Sequence, residues 1–184
     1  MSDRKKLADL HETIRSCTKC SLYEVRKNAV PGEGSVDGKL IFVGEAPGRK
    51  EDETGRPFIG RSGELLTDLI ENRLPCNRED VFITSVLKCR PPNNRTPQNE
   101  EIASCLPYLE QQLRLISPDI VILLGGVAIS SLLGYRTVSD VHGTFCDGTN
   151  YRYFMTYHPA AALRFSKYRT LIEHDFDCLG AELK

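Results

Sequence analysis

The chain has no apolar run approaching the roughly 20 residues that a membrane span needs. Its opening stretch, MSDRKKLADLHETIRS, mixes charges of both signs and carries no apolar signal core. Both absences point to a soluble protein of the cytoplasm or nucleoid with no membrane partner. Internal repeats and low-complexity segments are also missing, and nothing marks a second domain. Net charge is nearly absent: 24 basic residues against 25 acidic ones leave −1, so the whole chain exerts no strong pull on a polyanion.

What is present fits one globular domain over residues 1–184, 40% hydrophobic and 27% charged, long enough to bury a real core as a monomer. Charge is uneven along it. Val86–Arg95 holds Lys88, Arg90 and Arg95 with no acid, and His158–Arg169 holds Arg164, Lys167 and Arg169 with none. Such stretches reach phosphates even in a neutral chain, although solvated loops have the same composition.

Seven cysteines, an odd number without a secretion signal, argue against a disulfide framework. Cys17-Thr18-Lys19-Cys20 puts two thiols on one turn, a spacing that serves zinc, redox chemistry and iron–sulfur clusters alike. No second short pair of the zinc-ribbon kind follows. Widely spaced single ligands suit a cluster better, though spacing leaves zinc open. Cys76, Cys146 and Cys178 fit buried, inert thiols.

Periodicity gives the coarse architecture. Short apolar runs at Leu40–Val43, Val81–Leu87, Ile120–Leu124 and Tyr151–Thr156 predict four buried strands. Helices are predicted over Leu7–Arg15, Gly63–Leu74, Asn99–Ile116 with a kink or break at Pro107, after Gly125-Gly126 to Leu133, and from about Tyr168 to Leu183. Strands alternating with helices predict a three-layer α/β/α fold around a central, mainly parallel four-stranded sheet. Ligands of such sheets bind beyond the carboxyl ends of the strands. The polar motifs Gly44–Gly48, Ser85–Arg95 and Tyr157–Leu163 all fall there.

These motifs, in order, carry a resemblance. Cys17-x2-Cys20 is followed by Val43-Gly44-Glu45-Ala46-Pro47-Gly48 with Glu51-Asp52. Then come Thr54-Gly55-Arg56-Pro57-Phe58-Ile59-Gly60, Ser85-Val86-Leu87-Lys88-Cys89-Arg90-Pro91-Pro92-Asn93-Asn94-Arg95, Cys105, and Tyr157-His158-Pro159-Ala160-Ala161. Together they resemble the family 4 uracil-DNA glycosylases, the iron–sulfur branch of the uracil-DNA glycosylase superfamily, over nearly the whole chain. The resemblance implies a DNA-repair hydrolase that cuts the N-glycosidic bond of deoxyuridine in single- or double-stranded DNA. It also implies a [4Fe-4S] cluster in a structural role, held by Cys17, Cys20, Cys89 and Cys105.

The resemblance further assigns roles within the site. His158 hydrogen-bonds the uracil carbonyl as charge builds there; outside this motif a lone histidine is as a rule structural. Glu45 balances the oxocarbenium charge or holds the attacking water, and Glu51 assists. Asn94 supports the motif containing Glu51. Phe58 stacks on the extruded pyrimidine, Ala46 and Gly48 line its pocket, Leu163 wedges into the duplex, and Arg164 follows on the DNA side. Two positions depart from relatives. Ala46 stands where other superfamily members have a water-orienting aspartate. Ser85 stands where an asparagine is common, which opens the question of base specificity. Three other readings compete: a non-catalytic or altered-specificity DNA-binding member, a member that binds uracil-DNA covalently, and a zinc-stabilised nucleoside hydrolase.

Overall fold

A computed structural model describes residues 2–135 and 137–184. Six strands form one sheet: β1 (Glu33–Gly34), β2 (Leu40–Gly44), β3 (Phe82–Ser85), β4 (Ile120–Leu124), β5 (Thr144–Asp147) and β6 (Arg152–Thr156), in the order β1-β3-β2-β4-β6-β5. The inner four pair in parallel. They are the four runs that periodicity marks. β1 and β5 add antiparallel edges, so the sheet has six strands rather than four.

The helices are α1 (Asp3–Arg15), α2 (Arg49–Thr54), α3 (Arg61–Arg73), α4 (Asn99–Ile116), α5 (Gly126–Leu133), α6 (Pro159–Arg164) and α7 (Ser166–Glu182). α4 runs through Pro107 as one helix, so the proline does not break it. Alternation along the strands divides the core into two. Ile41, Val43, Val121 and Leu123 pack with Leu10 and Ile14 of α1, Leu109 and Leu113 of α4, and Ala128 of α5. Leu40, Phe42, Ile120 and Ile122 face Leu66 and Ile70 of α3, Ala162 of α6, and Ile172 and Phe176 of α7. Strands covered on both faces need apolar side chains at every position, hence the unbroken runs. The result is a three-layer α/β/α fold. Among the described residues no helix is long and apolar enough to cross a membrane.

Candidate active site

The ends of β2, β3 and β6 meet at one cavity, with the end of β4 behind His158. β2 hands on from Gly44 to the Glu45–Gly48 loop, β3 ends at Ser85, Gly125 follows β4, and His158 comes two residues after β6. β3 and β4 lie on opposite sides of β2, so the strand order reverses here, as it does at the ligand crevice of open α/β sheets. The cavity measures about 480 Å³, and its wall includes Glu45, Ala46, Gly48, Glu51, Phe58, Ser85, Asn94, His158 and Arg164. Leu163 does not line it; it stands on α6 as an exposed leucine.

His158 caps the start of α6, where Pro159 occupies the first turn and needs no N–H partner. The Ala160 N–H donates to His158 Nδ1 at 3.1 Å. Burial lowers the imidazole pKa from 6.5 to about 4, with the Glu51 charge pulling the other way. The ring is therefore neutral at neutral pH. Because Nδ1 accepts a hydrogen bond, the single proton sits on Nε2, which makes Nε2–H a donor. Gly125 has a φ of +89°, and a Cβ there would come within 2.8 Å of His158 Cβ, so a side chain at 125 would displace the histidine.

Phe58 is buried in a left-handed backbone conformation, φ +48°, which is costly for an aromatic residue and is kept here beside the cavity. Its ring stacks on His158 with centroids 5.6 Å apart and a 30° tilt. It also lies against Gly44, where an added Cβ would stand 2.5 Å from the ring. Gly44 is the residue that lets the ring close over the end of β2.

The two carboxylates differ. Burial raises the pKa of Glu45, and among the described residues its side chain makes no ion pair. Glu51 is held: its Oε1 accepts from the Ile59 and Gly60 N–H groups, both at 2.9 Å. Glu51 thus ties α2 to the loop that carries Phe58. Beside it, buried Asp52 accepts from the Lys27 and Asn28 N–H groups and fixes the stretch leading to Val30, another wall residue.

The Asn94 side chain is exposed, lines the cavity and accepts from Arg90 Nε at 2.7 Å. One expectation needs revision. Lys88 does not face DNA. It is only 2% exposed, with Nζ donating to the Ser85 carbonyl and Gln112 Oε1, each at 2.7 Å, and to Thr84 Oγ1. Burial depresses its pKa to about 7. Lys88 braces the end of β3 from beneath.

A second, smaller pocket is lined by Cys17, Cys20, Cys89 and Cys105, together with Arg26, Lys88 and Tyr108. Cys76, Cys146 and Cys178 lie outside it. The two pairs come from the end of α1, the exit of β3 and the first half of α4. Polar hydrogens point at three of the sulfurs: Arg26 Nη1 at 3.1 Å from Cys89 Sγ, the Lys88 N–H at 3.3 Å from Cys105 Sγ, and the Lys19 N–H at 3.5 Å from Cys17 Sγ. Among the described residues no three His, Cys, Asp or Glu side chains converge closely enough to bind a single ion; these thiols surround a space instead.

Sequence comparison agrees with this geometry. The family model described as Uracil DNA glycosylase superfamily matches residues 31–176. The Type-4 uracil-DNA glycosylase of Pyrobaculum aerophilum is 50% identical over 86% of this chain and 85% of its own length. That of Saccharolobus solfataricus is 47% identical over 90% and 81%, and that of Thermotoga maritima 44% over 89% and 87%. The chain belongs to the uracil-DNA glycosylase superfamily and, within it, to the type-4 branch.

Periodicity and motif spacing miss several wall residues, among them Val30, Ser62 and Phe165.

Proposed function

We propose that the protein hydrolyses the N-glycosidic bond of deoxyuridine in DNA, releasing uracil and leaving an abasic sugar. The observation that carries this reading is His158, its Nδ1 accepting the Ala160 N–H and its ring stacked against Phe58, in the cavity at the strand ends. A base extruded from the helix enters that cavity and lies against Phe58. As the bond from C1′ to N1 breaks, its electron pair moves onto the uracil ring and oxygens. His158 Nε2–H donates to a uracil carbonyl, a contact that strengthens as the anion forms. Water adds to C1′, and its proton passes to a base at the sugar side. Glu45 has a carboxylate free for that work, and its negative charge offsets the oxocarbenium. Glu51, with one oxygen committed to backbone donors, holds the wall in shape. With DNA as substrate, the cytoplasm or nucleoid is the place of work.

The chemistry of the second pocket fits a [4Fe-4S] cluster: four thiols from three separated segments, with N–H donors at their sulfurs. Cys17, Cys20, Cys89 and Cys105 would hold it. When bound, the cluster supplies a crosslink between α1, the β3 exit and α4; base hydrolysis moves no electrons.

The function is tested by incubating purified protein with uracil-containing oligonucleotides, single-stranded or paired as U·G and U·A, and then treating with alkali. Scission at the uracil position alone is expected; intact strands throughout would refute the proposal.

Ser85 bears on specificity. It is buried at the cavity wall and its hydroxyl is shorter than an amide. Ser85→Asn is expected to raise uracil excision about fivefold, the worth of one added hydrogen bond of about 1 kcal/mol. Competition assays with hypoxanthine- and xanthine-containing oligonucleotides check it. Faster release of either purine by the native protein would mean that Ser85 sets a different preference.

Salt dependence tests the DNA face. Arg164 is an exposed residue of the cavity wall, and Arg90 donates to Asn94, another wall residue. Arg164→Gln and Arg90→Gln should each reduce the slope of log binding against log salt by about one phosphate's worth. Unchanged slopes would remove them from the interface.

A further inference from the structure

Among the exposed large apolar side chains, Phe165 is 58% exposed and Leu163 38%. Of these two only Phe165 lines the cavity. It occupies the junction where α6 ends and α7 begins, with an extended backbone, φ −138° and ψ 122°. Both sides of that junction are fixed: the Phe165 N–H donates to the Ala161 carbonyl, and the Tyr168 N–H donates to the Phe165 carbonyl, each at 3.1 Å. The ring meets Tyr168 in a T-shaped contact, with centroids 6.0 Å apart, and Tyr168 in turn packs on Tyr157 at 4.8 Å. This contact supports the ring while more than half of its surface stays open to solvent. Exposed, rigidly placed aromatic area at the mouth of a base-binding cavity has one natural complement, the face of another base. Arg164 next to it, with no ion-pair partner among the described residues, suits the accompanying phosphate.

We propose that Phe165 stacks on the nucleobase flanking the extruded uracil, holding the opened DNA while Leu163 stands outside the cavity. The inference rests on the cavity being the uracil site. Duplexes carrying an uncleavable 2′-fluoro-deoxyuridine, with 5-iododeoxycytidine on its 5′ or 3′ side, test it with the full-length protein. Irradiation should crosslink the iodinated base on one side to Phe165, located by mass spectrometry of the peptides. Phe165→Ala should lose that crosslink and bind the duplex about tenfold more weakly, whereas Phe165→Tyr keeps both. The position is exposed, so the alanine variant should melt with the native protein. A crosslink that persists at other residues in Phe165→Ala, or none at Phe165 in the native protein, overturns the stacking role. Uracil excision from the unmodified duplex is read separately: its absence overturns the functional assignment, while excision without the Phe165 crosslink overturns the stacking role alone.

Discussion

His158→Ala is expected to slow single-turnover uracil excision by roughly a hundredfold or more, the scale of losing one preorganised donor. The neutral imidazole donates from Nε2 because Nδ1 already accepts the Ala160 N–H. That contact is worth more to the departing anion than to bound substrate, so the loss falls on the chemical step. Binding to uracil-containing DNA should change little, since phosphate contacts supply most of the affinity. Filter binding and rapid-quench kinetics on the same oligonucleotide separate the two effects. A variant that is folded and excises at the native rate would move the donor elsewhere, to main-chain amides near Glu45 and Ala46.

The same residue predicts a sign in pH. The pKa of His158 in the folded protein, about 4, lies below its ordinary value of 6.5. Below pH 6.5 the unfolded chain therefore takes up the proton more readily than the folded one. Stability from this site is full above pH 6.5 and declines as pH falls toward 4. Melting curves should show this acid-side loss in the native protein and a weaker one in His158→Gln.

Cys89→Ala should bleach absorption near 400 nm and lower the melting temperature by roughly 10 °C or more. Cys89 is buried, and the Arg26 group that donates to its sulfur also donates through Nη2 to the Arg15 carbonyl at the end of α1. Losing the thiol therefore loosens the attachment of α1 as well as the proposed cluster. Cluster-binding energy is folding energy, and a loss of about 4 kcal/mol at roughly 2–4 °C per kcal/mol gives a shift of this size. Iron analysis and calorimetry check it, with Cys76→Ala and Cys178→Ala as variants that should keep both iron and stability. Loss of iron on removing Cys76 but not Cys89 would overturn the ligand set.

Sequence pattern exposed what was apolar and hid what was polar. Three of the inner strands, β2, β3 and β4, stand out because both faces are buried, and β6 is buried from Phe154 onward. β5 does not stand out: Thr144 and Asp147 are exposed and Phe145 and Cys146 half-buried, with no run or clean alternation to detect. β1 is two residues in a glycine-rich stretch. α2, Arg-Lys-Glu-Asp-Glu-Thr, has no apolar side at all; its buried residues are Glu51 and Asp52, satisfied by backbone N–H groups from distant segments. Hydrophobic periodicity has no means of finding such a helix. Lys88 misled for the mirror reason. A lysine within a basic stretch looks solvated, yet three acceptors, Thr84, Ser85 and Gln112, take it inside. The site motifs were legible because strand ends, glycines and prolines punctuate them. Phe165 was hidden because an aromatic residue signals burial by default, and only its exposure at the cavity mouth marks it.

The cavity lined by Phe58 and His158 is the proposed place where uracil is cut from DNA. The most direct measurement is mass spectrometry of the products of one turnover on a uracil-containing oligonucleotide. Free uracil should appear in a one-to-one ratio with a strand that retains its backbone and carries one abasic sugar. Uracil that remains attached to the DNA, or DNA that becomes covalently joined to the protein without release of an abasic strand, would contradict the account.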